Sequence, residues 1–261
     1  MQLKNRTLVL FLLTGRFLPD ISLPMSVMYL IRHGQASFGA ENYDQLSPRG
    51  IEQSRILGAH LIDAGILPDA IYTGRMARQK DTEKEVRERY RQIGCSLPQA
   101  EVLEGLDEFD SSAIMLSQWP HLLKADPLLA EHLPRIYENK DSFKLIFEGA
   151  MLRWVSGASD SPEVESWMNF SSRVSSAIIR IMKEQGRSRT IFVFTSGGPI
   201  AAAMQFALSL SPEAAIRLNW QVINTSYTKF MYNEERITLA CFNCSSHLDL
   251  HEDRKKLISY R

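Results

Sequence analysis

Short apolar, β-prone runs alternate with helical patterning along this chain, and two of the runs stop in polar, glycine-bearing turns. Val27-Met-Tyr-Leu-Ile31 ends at Arg32-His33-Gly34, and Thr190-Ile-Phe-Val-Phe194 ends at Thr195-Ser196-Gly197-Gly198-Pro199. Runs that are apolar throughout, rather than alternating, read as strands buried on both faces. Ala70-Ile-Tyr72 is a third such run. Between the first and the third, Ser47 as N-cap and Pro48 at the first helical position open a helix. That helix carries Ile51, Ile56, Leu57, Leu61 and Ile62 near helical spacing and is stopped by Gly65. Further helices are predicted from Met76 to about Tyr90, from about Glu165 to Gln185 with Val174, Ile178, Ile181 and Met182 inward, and from the glycine turn to about Leu208. Residues 222–232 and 236–242, separated by Asn233-Glu234-Glu235, predict a hairpin. Strands alternating with helices imply an α/β fold with a mostly parallel sheet.

Residues 106–161 break this rhythm. They hold helical pieces at 112–124, 127–138 and 141–155, split by Pro, Asp and Gly, and no strand pattern; they are read as a helical insertion over one face. At the start of the chain, the apolar run Leu8–Leu13 is far shorter than the ~20 residues that cross a bilayer. It also lacks a small-residue cleavage site. Residues 1–24 are therefore expected to be a poorly ordered extension preceding one domain over 25–250, with Met25 or Met28 as alternative starts. Residues 251–261 are expected to form a solvated tail or short helix.

In an open α/β sheet, ligands sit outside the carboxyl ends of the strands. The turn at 196–199 leads into a helix, so its backbone N–H groups and the helix dipole favour an anion. An arginine beside a histidine at the first strand end offers a cationic fork and a nitrogen nucleophile. Together these features point to a phosphate group. Lys and Arg number 30 against 30 Asp and Glu; this balance argues against a broad nucleic-acid-binding surface while leaving room for a locally positive pocket.

Tyr29-Leu-Ile-Arg32-His33-Gly34-Gln35 followed by Asp44-x-Leu46-Ser47-x-x-Gly50-x-x-Gln53 closely resembles the opening of the histidine phosphatase superfamily, in its phosphoglycerate mutase-like branch. Thr73-x4-Arg78-x3-Thr82, Leu106-Asp107-Glu108-Phe109, Glu165-Ser166 with Arg173-Val174, and Asn243-x-x-x-His247-Leu248 follow in the family's order. The resemblance implies a three-layer α/β sandwich with helices on both faces and the insertion over the active site. It implies that His33 attacks phosphorus to give a phosphohistidine, that Arg32 and Arg78 clamp the phosphoryl oxygens, and that Glu108 is the acid and base. The alternative for Arg78 is a surface helix charge, like its neighbours Arg75, Lys80 and Lys84, whereas Glu104, Asp107 and Asp110 are close competitors of Glu108.

The sequence departs from the family at one position. Members usually carry a second histidine before the late-strand glycine, where this chain has Ser196. A serine hydroxyl still donates a hydrogen bond to a phosphate but brings no charge. Loss of a charge-assisted donor aimed at the transition state costs roughly 3–4 kcal/mol. The implied activity is thus a phosphomonoester hydrolase, metal-independent and without cofactor, slowed by Ser196. The alternatives are a phosphate-ester-binding pseudoenzyme and a phosphoglycerate mutase, which needs extra cationic contacts that the sequence does not display.

The remaining motifs point elsewhere only weakly. Cys241-Phe-Asn-Cys244 has redox or half-zinc spacing, but no second Cys or His pair stands at a fixed offset, and it overlaps the expected last strand. Three cysteines give no disulfide framework, which makes a reducing, cytoplasmic setting the expectation. Gly197-Gly198 forms no dinucleotide fingerprint. Trp119, Trp154, Trp167 and Trp220 are expected to fill core or cap rather than stack on bases. The expected partner is a small-molecule or protein phosphoester, with no nucleic acid and no membrane.

Overall fold

A computed structural model describes residues 25–37, 44–135, 139–158 and 161–260. The expectation of an extension at 1–24 lies outside them. The sheet has six strands: β1 (Ser26–Arg32), β2 (Ala70–Thr73), β3 (Ala100–Val102), β4 (Thr190–Thr195), β5 (Tyr227–Tyr232) and β6 (Ile237–Cys244). Their order is β3-β2-β4-β1-β5-β6. The first four run parallel, β5 is antiparallel to β1, and β6 to β5. β1 and β4 are the two apolar runs that end in glycine turns. They are paired with Arg32 opposite Thr195, so both turns emerge side by side at the centre of one sheet edge.

Strand periodicity divides the core. Tyr29, Ile31, Ile71, Phe192 and Phe194 face α1 (Pro48–Asp63) and α2 (Ala77–Gln92) through Leu57, Leu61, Val86 and Tyr90. Met28, Leu30, Tyr72, Ile191 and Val193 face the opposite layer. That layer is built from α5 (Trp167–Gln185) and α6 (Gly197–Leu208), and its apolar cluster reaches Ile114, Ala150 and Trp154 on α3 (Ser111–Ala125) and α4 (Lys140–Ser156) and Ala215 and Ile216 on α7 (Pro212–Asn219). The result is the expected three-layer arrangement.

The insertion is helical, but its middle piece, Pro127–Arg135, is a 3-10 helix rather than an α-helix. Trp154 anchors it: the indole is buried, packs on Trp167 with centroids 5.3 Å apart, and donates Nε1–H to the Glu165 carbonyl. Trp154 and Trp167 thus serve as core, as expected.

The C-terminal segment differs from the expectation of a solvated tail. A short helix forms at α9 (Arg254–Leu257), after α8 (Ser246–Asp249), but Leu257 is buried with Ile223 and Leu248. Gln53 Nε2 donates to the Leu257 carbonyl and to Ser259 Oγ. Gln53 lies in the opening motif, far away in sequence, so the charged composition of the tail concealed its docking.

Candidate active site

The two glycine turns assemble the site. Gly34 packs so tightly on the first turn of α1 that a Cβ there would collide with the Gly50 carbonyl, and a Cβ on Gly50 would collide with the Gln35 carbonyl. Ser47 caps α1 by accepting from Gly50 N at 3.1 Å. Gln53 Oε1 accepts from Gln35 N, and Thr82 Oγ1 accepts from Gly34 N at 2.9 Å. The spaced polar residues of the opening motif therefore fasten the His33 loop to two helices.

His33 is buried, and its ring is fixed by two contacts. Nδ1 lies 2.7 Å from the Gly34 carbonyl, which makes Nδ1 the protonated nitrogen. Nε2 then carries the lone pair, and Arg78 Nε–H donates to it at 3.1 Å. Burial pushes the His33 pKa well below its usual value, the Arg78 and Arg32 guanidiniums push the same way, and the Gly34 carbonyl opposes them. These influences favour the neutral imidazole.

Arg78 is buried and is itself held: its Nη1 donates to Asp44 Oδ1 at 2.7 Å, while Asp44 Oδ2 accepts from Ala77 N at the start of α2. Its sequence neighbours do other work. Arg75 pairs with Asp107 at 2.6 Å and Glu104 at 2.9 Å, and Lys80 and Lys84 are exposed. Of these four cations, Arg78 is the one shown touching the imidazole. Arg32 is steered by backbone: Nη1 donates to the Val222 carbonyl and Nη2 to the Tyr260 carbonyl at 2.9 Å.

Glu108 occupies the short loop after β3, and the loop is pinned from behind. Thr195 Oγ1 donates to the Leu106 carbonyl at 2.7 Å, and Arg173, paired with Glu165, donates to the Asp107 carbonyl at 2.9 Å. This explains the Glu165 and Arg173 signature. The Glu108 carboxylate accepts from Gly198 N at 3.1 and 3.2 Å, at the start of α6. Gly198 has to be glycine, since a Cβ would strike Glu108 Oε1 and the Phe109 ring. Burial raises the Glu108 pKa, while Arg78, the Gly198 N–H, Arg32 and the Phe109 N–H pull it back; the net shift is upward. Of the competing acids, Asp110 caps α3 and Asp107 holds Arg75.

Ser196 is fully buried at the N-cap of α6. Its Oγ accepts from Gln79 Nε2 at 2.8 Å, and the same amide nitrogen donates to the Leu106 carbonyl at 3.1 Å. With its lone pair engaged by Gln79, the hydroxyl keeps its own proton to donate. Gln79 sits beside Arg78, an adjacency visible in the sequence without a signal for its role. Asn224 was likewise silent: its Nδ2 donates to the His33 carbonyl at 3.1 Å, and its Oδ1 accepts from Ser259 Oγ, which ties the C-terminal segment to the His33 loop.

The structure thus gathers Arg32, His33, Arg78, Glu108 and Ser196 around the paired ends of β1 and β4. An imidazole lone pair, two guanidiniums, a carboxyl group of raised pKa and a helix N-terminus can together hold and transfer a tetrahedral anion. Among the described residues, no three His, Cys, Asp or Glu side chains are placed to hold a metal ion. No described helix is long and apolar enough to cross a membrane.

The sequence profile of the histidine phosphatase superfamily (branch 1) matches residues 28–126 and 110–245. A sequence search against curated proteins gives no match. Similar solved folds include a phosphoserine phosphatase mutant from Entamoeba histolytica in complex with phosphoserine, at TM-score 0.58 and 19% identity, over 86% of this chain and 100% of that one. A phosphoglycerate mutase from Bacillus anthracis aligns at TM-score 0.57 and 17% identity, over 86% and 96%. A mycobacterial glucosyl-3-phosphoglycerate phosphatase aligns at 0.57 and 21%, over 85% and 99%.

Proposed function

The chain belongs to the histidine phosphatase superfamily, and we propose that it is a phosphomonoester hydrolase working through a phosphohistidine at His33. The observation that carries this reading is the state of the His33 ring: Nδ1 is committed to the Gly34 carbonyl, and the Nε2 lone pair accepts from Arg78 Nε–H, which a bound phosphoryl oxygen would take over as Nε2 turns to phosphorus. Nε2 attacks phosphorus as the ester oxygen departs, which divides one difficult displacement into two easier ones. Arg32 and Arg78 offset charge on the equatorial oxygens. Glu108, whose pKa burial raises, gives a proton to the leaving oxygen and then takes one from the water that attacks the phosphohistidine. The Ser196 hydroxyl donates to the transferring group without adding charge. The substrate class is a small molecule or protein bearing a phosphoester.

A second reading, a binding protein that holds a phosphate ester with little turnover, draws on two observations. Ser196 is uncharged, and both terminal nitrogens of Arg32 already serve backbone carbonyls. A generic phosphatase assay on wild-type protein and His33→Ala separates the two. Hydrolysis lost with His33 supports the hydrolase, whereas tight ester binding with no His33-dependent turnover supports the binding protein.

A further inference from the structure

We propose that Cys241 and Cys244 are a reversible dithiol–disulfide pair whose closure loosens the hold on Arg32. Cysteines three apart on a regular strand face opposite sides. Here β6 is irregular: Cys244 pairs with Tyr227 and Cys241 with Lys229, so three residue steps on β6 match two on β5. Tyr227 and Lys229 share one face of β5, and their two partners therefore share that face as well. The extra residue is accommodated at Asn243, which adopts a left-handed conformation with φ of 54°. This bulge brings the thiols together.

Positions opposite residues two apart on a strand lie roughly 6.6 Å apart, within the upper range of Cα separations that a disulfide bridges. Cys244 Sγ lies 3.5 Å from Ser246 Oγ, and both cysteines are half-buried, hence open to a small reagent. The pair is chemically asymmetric. Burial raises the Cys241 thiol pKa; at Cys244 burial acts the same way but is outweighed by hydrogen bonds from Tyr227 and Ser246, and the net shift is downward. Cys244 is the attacking sulfur.

The step balances with a low-molecular-weight disulfide as oxidant. The Cys244 thiolate attacks it, forming a mixed disulfide and expelling one thiolate. Cys241 sulfur then attacks Cys244 sulfur, its proton passing to the second thiolate as that leaves. Two protein thiols are oxidised by two electrons, and the reagent is reduced to two thiols.

Asn243 connects this pair to the candidate site. Its Oδ1 accepts from Ile223 N at 2.8 Å, and its Nδ2 donates to the Gln221 carbonyl at 2.7 Å. The residue between those two, Val222, supplies the carbonyl that receives Arg32 Nη1. Closing the disulfide re-forms the bulge at Asn243 and shifts segment 221–223. This coupling rests on Arg32 as a phosphate ligand.

The test equilibrates the full chain with graded mixtures of oxidised and reduced glutathione, traps thiols by alkylation and reads peptides by mass spectrometry. Affinity for inorganic phosphate is measured by calorimetry on the reduced and oxidised protein. The expected result is a Cys241–Cys244 peptide lighter by two hydrogen atoms with Cys95 still alkylated, and phosphate affinity about tenfold weaker after oxidation. Cys241→Ser and Cys244→Ser, with unchanged near-ultraviolet circular dichroism, should abolish the difference. Full alkylation of both cysteines across the series, or a disulfide that leaves phosphate affinity unchanged, overturns the proposal. Reduced protein that binds no phosphate counts instead against the hydrolase reading, because the disulfide is scored independently.

Discussion

Arg78 Nε donates to His33 Nε2 at 3.1 Å, on the ring edge opposite the nitrogen that the Gly34 carbonyl holds. The same guanidinium reaches Asp44 with Nη1, so one planar group joins the imidazole to a carboxylate anchor. Arg78→Lys keeps the charge but cannot span both partners in that geometry. It is expected to lower kcat/KM for a phosphate ester about a hundredfold, measured by steady-state kinetics. A variant within threefold of wild type would show that charge alone suffices.

Ser196 and Gln79 form one buried unit joined by a 2.8 Å hydrogen bond. Ser196→Ala removes an uncharged donor, worth about 1 kcal/mol, and is expected to lower kcat about fivefold. Installing a charged donor at this position needs room, so Ser196→His is paired with Gln79→Ala and compared with Gln79→Ala alone. A kcat gain on the order of a hundredfold is expected from a charge-assisted donor. No gain in a folded variant would mean that the surroundings suit a different use.

The pH profile follows from two opposed shifts. His33 must be neutral, and its pKa is depressed, so activity falls only when the pH drops well below the usual histidine range. Glu108 must be protonated for the first step, and its pKa is raised, so kcat/KM declines as pH rises through that elevated value. The optimum is expected on the acid side of neutrality. Glu108→Gln should lower kcat and remove the alkaline limb. An alkaline limb that persists in the variant would assign the acid to another group.

Stability has its own pH dependence at His247. This buried ring bonds to Thr225 Oγ1 through Nε2. Burial, aided by the nearby His60, lowers its pKa to about 3. The unfolded chain therefore binds a proton that the folded chain refuses between about 3 and the ordinary value near 6.5. Stability should rise with pH across that window and level off above it. His247→Asn is expected to reduce the rise in urea titrations, leaving the slope due to His33 and the other shifted groups. An unchanged slope would remove His247 from the account.

The strands β1, β2 and β4 were legible because continuous apolar runs between glycine and proline leave few alternatives. Strand β3 was not, since Ala100-Glu-Val102 is short, half-exposed and held at the sheet edge by β2 alone. Helix α7 was also missed, although Ser211 and Pro212 carry the same cap signal that marks α1. In the candidate site, Arg32, His33, Arg78 and Glu108 were singled out from motifs along the chain, and the structure brings them near one another. The ones that position them could not be singled out so: Asn224 and Ser259 act through contacts between distant segments, and the Asn243 bulge appears only once β5 and β6 are paired.

The central claim is that His33 becomes phosphorylated. Wild-type protein and His33→Ala should be mixed with a phosphate ester labelled in the phosphoryl group and quenched within milliseconds under alkaline, denaturing conditions. A label on His33 that is stable to base, lost in acid and missing from the variant is the predicted result. Turnover of the ester without any acid-labile label on the chain would contradict it.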